Sequence, residues 1–172
     1  MKRTSMNIEL RRWSSADREA LRDLCNAVDR TFLSDRLPQP YTDGDAEWWL
    51  NRVETSEGID GVFRAIVADH HVVGSISVER KADVYRFDGD LGYFLLTDYW
   101  NQGIMTEAVH QACELAFESL QLNRITASVF QPNTASHRVL VKNGFQQEGI
   151  MRRAAAKDDR IFDVCIYGLV KE

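Results

Sequence analysis

The stretch DLGYFLLTDYWNQGIMTE, residues 90–107, places a glycine between a predicted strand and a predicted long helix. The first N–H groups of a helix have no acceptor within the helix, and the helix dipole adds positive potential at the same end. Asn101 and Gln102 are neutral and short, and Gly103 lets the backbone approach a ligand closely. The pattern suits an anion such as a pyrophosphate. An ordinary strand–turn–helix corner is the alternative, because the stretch matches neither GxGxxG nor the P-loop pattern.

A second informative stretch is QPNTASHRVLVKNGF, residues 131–145. Asn133 is a good N-cap for a short helix, and Gly144 is a typical left-handed stop for it. Ser136 lies near the third helical position, where it could either do chemistry or only pack. Taken alone, the stretch is explained by a capped helix with a glycine stop.

Hydrophobic periodicity predicts the elements that must position these residues. The predicted order is βααβββαβαββ, a mixed α/β arrangement that we expect to form one domain over residues 1–172. Strands are predicted at residues 7–13, 62–68, 72–78, 90–96, 124–130, 145–153 and 161–170, and helices at 17–28, 43–58, 103–120 and 133–144. Residues 69–71 and 157–160 are predicted as hairpin turns.

Composition narrows the classes of partner. The chain has 21 basic and 26 acidic residues, a net charge of −5, so a protein that coats nucleic acid is excluded and no basic stripe supports a nucleic-acid domain. Cys25, Cys113 and Cys165 are far apart and form no CxxC pair, which favours free thiols in a reducing cytoplasm and no metal site. The first residues lack an apolar signal segment, and no apolar run reaches the roughly 20 residues of a membrane span.

Two linked stretches carry a family resemblance. Residues 90–109 and 133–152, in this order and spacing, resemble GNAT acetyltransferases of the RimJ/RimL type, which include ribosomal-protein alanine N-acetyltransferases. Residues 37–50 resemble the N-terminal part of such proteins, so the likeness covers nearly the whole chain. The resemblance implies a central, mostly antiparallel sheet that splays between two adjacent strands, with helices on both faces.

The resemblance also implies the co-substrate acetyl-CoA, bound in the splay without a metal. Its pyrophosphate would lie on the backbone amides of Asn101, Gln102, Gly103, Ile104, Met105 and Thr106. The strand edge at Phe94, Leu95 and Leu96 would pair with the pantetheine amides, and a backbone N–H near Leu95 or Leu96 would stabilise charge on the thioester oxygen. Asn133 would hydrogen-bond the pantetheine arm.

Two catalytic residues are implied in the same way. Many GNAT enzymes carry a tyrosine where this chain has Leu140, so Ser136 becomes the expected hydrogen donor to the leaving thiolate, with a packing role as the alternative. Asp90 could accept the proton of the amine or attract a cation, and a structural pairing with Arg86 is the alternative. Trp100 departs from the usual pyrophosphate motif.

Met105 is a second departure from that motif, and together these two residues put the affinity for CoA in question. We expect an N-acetyltransferase whose acceptor is a primary amine: a protein N-terminus, or a small molecule such as a polyamine or an aminoglycoside. A CoA-binding sensor or regulatory module without turnover is the alternative. A homodimer is a further expectation from relatives.

His137 follows Ser136 directly, and adjacent helical residues point about 100° apart, so no hydrogen bond between them is predicted. Phe32, Tyr41, Trp48 and Trp49 could line a substrate cleft or pack a core.

Overall fold

Seven strands form one sheet in a computed structural model that describes residues 6–172. The strands are β1 Ile8–Arg11, β2 Gly61–Ala68, β3 His71–Arg80, β4 Asp88–Leu95, β5 Arg124–Phe130, β6 Gln146–Lys157 and β7 Arg160–Val170, and the helices are α1 Arg18–Ala27, α2 Asp43–Ser56, α3 Ile104–Leu120 and α4 Thr134–Lys142. The predicted order of elements is confirmed. Part of the stretch on which the expectation of no signal segment rests, residues 1–5, lies outside the described residues.

The sheet opens between its two parallel neighbours. Its order is β1-β2-β3-β4-β5-β7-β6, and every pair is antiparallel except β4 with β5. These two strands are paired only from Asp88 opposite Arg124 to Asp90 opposite Thr126. Beyond that point, residues 91–95 of β4 and 127–130 of β5 are not paired with each other, and a gap lies between them. The splayed sheet implied by the resemblance is therefore confirmed.

Each face of the sheet carries its own hydrophobic core. Buried residues of α3 and Leu140 of α4 pack on one face, and buried residues of α1 and α2 pack on the other. Side chains alternate between the two faces along a strand. On β4, Leu91 and Leu95 belong to the core under α3 and α4, whereas Phe94 packs toward α1 and α2. Helices on both faces were expected, and this expectation is confirmed.

Several element bounds differ from the sequence prediction. β4 begins two residues before the predicted start and ends at Leu95, because the chain enters a short 3-10 turn over residues 97–99. β6 extends to Lys157, since the hairpin turn is formed by Asp158 and Asp159 alone, both with positive φ. β1 ends at Arg11, and Trp13 instead packs into the core beside α1 and α2.

The three cysteines are buried as free thiols. Burial disfavours the thiolate and raises the pKa of both Cys25 and Cys113 to about 12. No helix in residues 6–172 is long and apolar enough to cross a membrane. Within the same residues, no three His, Cys, Asp or Glu side chains are grouped so that they could hold a metal ion.

A partly buried ion pair fixes the entry to α1. Two guanidinium nitrogens of Arg11 lie 2.8 and 2.9 Å from the two carboxylate oxygens of Asp17, and the Ser14 N–H donates to the same carboxylate at 2.9 Å. Burial opposes ionisation of Asp17, but the hydrogen bonds from Arg11 and Ser14 outweigh it, so the pKa of Asp17 is lowered. The folded protein therefore favours the charged carboxylate.

We expect Asp17→Asn to lower the free energy of unfolding by about 1–2 kcal/mol at pH 7, because the partly exposed donors of Arg11 and Ser14 lose a charged acceptor. The pKa is depressed in the folded state, so this contribution is complete above the ordinary value of 3.8 and is lost as the pH falls through the folded pKa. Urea unfolding at pH 7 and at pH 3 measures the difference between variant and wild type. Glu47→Gln, which breaks the exposed pair with Arg18, is the control and should change little. Equal stability of Asp17→Asn and wild type at pH 7 contradicts the assignment.

Candidate functional site

The N-terminus of α3 presents backbone amides without a side-chain cap. Gly103 is the N-cap, with a φ of +76°, and makes no side-chain cap to the amides of the first turn. The first helical N–H with a backbone acceptor here is that of Glu107, which donates to the Gly103 carbonyl at 3.2 Å. A Cβ on Gly103 would meet no atom within 4 Å. The amides of Ile104, Met105 and Thr106 therefore face open space with the positive end of a helix dipole behind them.

The loop before α3 is held by its own side chains. The Trp100 indole N–H donates to the Leu95 carbonyl at 2.8 Å, and the Gln102 amide donates to the Asp98 carbonyl at 3.0 Å. Asn101 has a φ of +58°, the left-handed conformation that asparagine tolerates. Trp100 stands where the usual motif can have an arginine, and its indole stabilises the loop by a hydrogen bond to the backbone. The Met105 side chain lies in the core under α3.

The backbone of β4 meets the gap at alternate residues. The Leu96 N–H donates to the Val73 carbonyl at 2.8 Å, so Leu96 is turned toward β3. In an antiparallel ladder this orientation alternates, so the backbone groups of Phe94 also face β3 and those of Tyr93 and Leu95 face the gap. The expectation that Phe94 and Leu96 line the gap with their backbone is corrected by this alternation. Of the three residues expected to line the gap with their backbone, Leu95 is the one whose N–H points into it.

On the other side of the gap, α4 begins at the predicted cap. The Asn133 side-chain oxygen accepts from the Ser136 N–H at 3.4 Å. A residue that sequence reasoning did not identify joins the two helices: the Asn143 side-chain amide donates to the Thr106 carbonyl at 3.1 Å and to the Val139 carbonyl at 2.9 Å. The end of α4 therefore fixes the position of the first turn of α3.

Tyr93 is a second residue that sequence reasoning did not single out, and its side chain contacts Ser136 across the gap. The Tyr93 hydroxyl lies 2.6 Å from the Ser136 Oγ. Burial raises the pKa of Tyr93 to about 12, more than the hydrogen bond between Tyr93 and Ser136 lowers it, so the phenol stays protonated. The alternation of β4 could have placed Tyr93 on the α4 face, although it could not have named its partner. Leu140, at the position where many GNAT enzymes carry a tyrosine, is 0% exposed in the core under α3 and α4.

His137 makes its contacts on the side of α4 away from Ser136. Its Nδ1 lies 2.6 Å from the Tyr167 hydroxyl, and its Nε2 lies 3.0 Å from the Gln131 carbonyl. A carbonyl only accepts, so Nε2 carries a proton. The ring is held between β5 and β7, in agreement with the prediction that it does not pair with Ser136.

Asp90 lies at the last paired position before the gap, and its side chain is 62% exposed. Its cationic neighbour is Lys81, with Nζ at 3.5 Å, and the same Lys81 bonds the buried Asp88 at 2.7 Å. The expected alternative partner Arg86 instead stacks over the Phe87 ring at 4.9 Å, which corrects that pairing. Lys81 is closer because β3 and β4 run side by side at this point.

The segment after α1 meets the C-terminal hairpin near the end of β5. Phe130 and Phe162 stack at 5.5 Å, and the ring of Phe32 packs edge-on against both at 6.3 Å. Lys157, in the hairpin, contacts Asp35 at 3.0 Å. Of the other aromatic candidates, Tyr41 and Trp49 pack in the core, whereas Trp48 is exposed. Of these four aromatic candidates, Phe32 is therefore the one that packs at the end of β5.

The sequence profile described as "Acetyltransferase (GNAT) domain" matches residues 7–146. An uncharacterized N-acetyltransferase of Bacillus subtilis, YoaA, is 33% identical over 125 residues, 72% of this chain and 62% of the relative. The L-amino acid N-acetyltransferase AaaT of Escherichia coli is 24% identical over 95% of this chain and 98% of its own length. The aligned stretches span 46–62% of the length of the first three curated relatives.

A solved structure has the same fold. The ribosomal-protein-S5-alanine acetyltransferase of Vibrio fischeri superimposes with a TM-score of 0.82 over 95% of this chain and 92% of that one, at 22% identity. At this identity the likeness concerns the fold alone.

Proposed function

Because this chain belongs to the GNAT acetyltransferase family, we propose that it transfers an acetyl group from acetyl-CoA to a primary amine, and that the preferred acceptor is an α-amino group at a polypeptide N-terminus. The observation that carries the transferase assignment is the gap between β4 and β5, with the uncapped amides of α3 at its end and Ser136 at its side. We also propose a cytoplasmic location, since the three thiols are free.

The site fits the co-substrate at each end. The amides of Ile104, Met105 and Thr106 suit a pyrophosphate, because an anion gains both hydrogen bonds and the helix dipole there. The Leu95 N–H, directed into the gap, would donate to the thioester oxygen as charge develops on it. The Asn133 oxygen caps α4, so its amide group would be the part that bonds the pantetheine arm. Acetyl-CoA supplies the activated acetyl group.

The acceptor class follows from the surroundings of Asp90. Its carboxylate is largely exposed and lies beside Lys81, so the carboxylate expected as a base is shared with a neighbouring cation. An α-amine has a pKa of about 7.7–8.0, and an alkyl amine about 10.4. The α-amine is partly neutral at pH 7.5 and reacts without a strong base, whereas the alkyl amine needs one. The site therefore suits a chain N-terminus better than a polyamine or an aminoglycoside.

The test is release of CoA thiol from acetyl-CoA with three acceptor types at pH 7.5. These are peptides with a free N-terminus, the same peptides with the N-terminus blocked and one lysine kept, and spermidine or kanamycin. We expect the free N-terminus to react roughly 10²-fold faster than the alkyl amines, in proportion to the neutral fractions. The difference should narrow as the pH rises toward 10.

Each other outcome has a defined meaning. If spermidine or kanamycin reacts faster than the free peptide N-terminus at pH 7.5, the proposed acceptor class is wrong, although the acetyltransferase activity is supported. Protection of the protein by CoA against thermal unfolding, without thiol release from any acceptor, identifies a CoA-binding sensor instead. That result would contradict the proposed function itself.

A further inference from the structure

Tyr93 and Ser136 form a hydroxyl pair that links β4 to α4 at the gap. Tyr93 belongs to the part of β4 that has lost its β5 partner, and Ser136 lies in the first turn of α4. Their oxygens are 2.6 Å apart, although the residues are 43 positions apart in the chain. Two hydroxyl groups at this distance share one hydrogen bond, so one of the two protons is left to point elsewhere.

We propose that Tyr93 is a positioning residue that donates its hydroxyl proton to Ser136 and so directs the Ser136 O–H into the gap, toward the leaving sulfur. The inference rests on the proposed function. A phenol is the stronger acid of the two groups and is therefore the better donor, which leaves Ser136 as acceptor from Tyr93 and donor to a third atom. The ring of Tyr93 packs, partly buried, against the core under α3 and α4, which limits the access of solvent to its hydroxyl.

The step balances without a further reactant. The amine nitrogen forms the new C–N bond, the C–S bond breaks, and the electron pair of that bond leaves on sulfur. A thiol has a pKa of about 8.5, so the thiolate is a moderate base that a single donated hydrogen bond stabilises. The proton lost by the amine goes to water, and the free thiolate takes a proton from water. Tyr93 and Ser136 keep their own protons throughout.

The alternative role for Tyr93 is mechanical, since it also ties β4 to α4. The chain contains a matched control for that role. The hydroxyl of Tyr167, on β7, lies 2.6 Å from Nδ1 of His137, the residue after Ser136 on the same helix, and 3.3 Å from the side-chain oxygen of Gln147. Tyr167→Phe removes a bond of the same length between a strand and α4 but leaves Ser136 untouched. The two Tyr→Phe variants therefore separate support of the helix from direction of the Ser136 proton.

The experiment compares wild type, Tyr93→Phe, Tyr167→Phe, Ser136→Ala and the double variant Tyr93→Phe/Ser136→Ala, with a peptide acceptor. We expect Tyr93→Phe to lower kcat about tenfold, with KM for acetyl-CoA and the calorimetric Kd for CoA within about twofold of wild type. Tyr167→Phe should keep the wild-type kcat. In the Ser136→Ala background, Tyr93→Phe should cause no further loss, because its effect passes through Ser136.

Three results overturn the inference. They are an unchanged kcat in Tyr93→Phe, an equal loss of kcat in Tyr167→Phe, and additive losses in the double variant. A weaker Kd for CoA at unchanged kcat assigns Tyr93 to support of the site alone. If wild type itself releases no thiol with any acceptor, the proposed function fails instead, and the CoA titrations still report whether Tyr93 shapes the binding site.

Discussion

Replacing Ser136 by alanine should lower kcat for acetyl transfer roughly 100-fold, because the leaving group loses a hydrogen-bond donor. The KM for acetyl-CoA should stay within about twofold, because in the proposed site the amides of α3 and the backbone of β4 would bind the co-substrate without the serine. Removal of the Oγ also leaves the partly buried Tyr93 hydroxyl without its partner. We therefore expect the free energy of unfolding to fall by about 1–3 kcal/mol as well.

The measurement is steady-state kinetics with a peptide acceptor, together with urea unfolding of the same preparations. Ser119→Ala is the matched control, since Ser119 is an exposed serine in the last turn of α3 and lies in neither wall of the gap. It should keep wild-type kcat and stability. Full turnover by Ser136→Ala would reduce Ser136 to a packing residue and would remove the donor from the mechanism.

The second large effect concerns Gly103. Gly103→Ala should weaken CoA binding at least tenfold, because the added Cβ enters open space beside the helix amides to which the pyrophosphate would bind. A positive φ of +76° also makes any L side chain costly there, about 1–2 kcal/mol of stability. The loss of stability and the loss of affinity must therefore be separated.

Gly58 provides that separation. It has a φ of +75°, and a Cβ on it would likewise meet nothing within 4 Å, but it lies after α2, in the turn that leads into β2. Gly58→Ala should lose similar stability and keep wild-type affinity for CoA, measured by calorimetry. Equal CoA affinity in Gly103→Ala and Gly58→Ala would mean that the phosphates are bound elsewhere.

The α3 end of the site was predictable from the sequence because its determinants are local. Gly103 and the apolar periodicity after it define where a helix begins, and the amides at that point are unpaired whatever the rest of the chain does. Asn133 is a similar case, since a cap is a contact between residues three positions apart. The family motifs lie in these same local segments, which is why the resemblance also located the gap between β4 and β5.

Contacts between distant segments were not predictable in this way. Asp90 was expected to pair with Arg86, four positions away, but the antiparallel pairing of β3 with β4 brings Lys81 to it instead. Phe94 and Leu96 were expected at the gap, but a hydrogen bond from Leu96 to Val73 fixes the phase of the ladder and turns both toward β3. One residue of register decides which backbone groups face a strand and which face a ligand.

The sequence by itself determined the order of elements, the family and the uncapped helix end, because these depend on periodicity, caps and glycines within short windows. Only the tertiary structure decided which side chains meet at the gap. Tyr93 and Ser136 carry no shared motif and lie on different elements, and they come within hydrogen-bond distance because β4 and β5 separate while α4 packs beside them. Side-chain contact across a gap depends on register and packing, and neither is encoded in the spacing of the two residues.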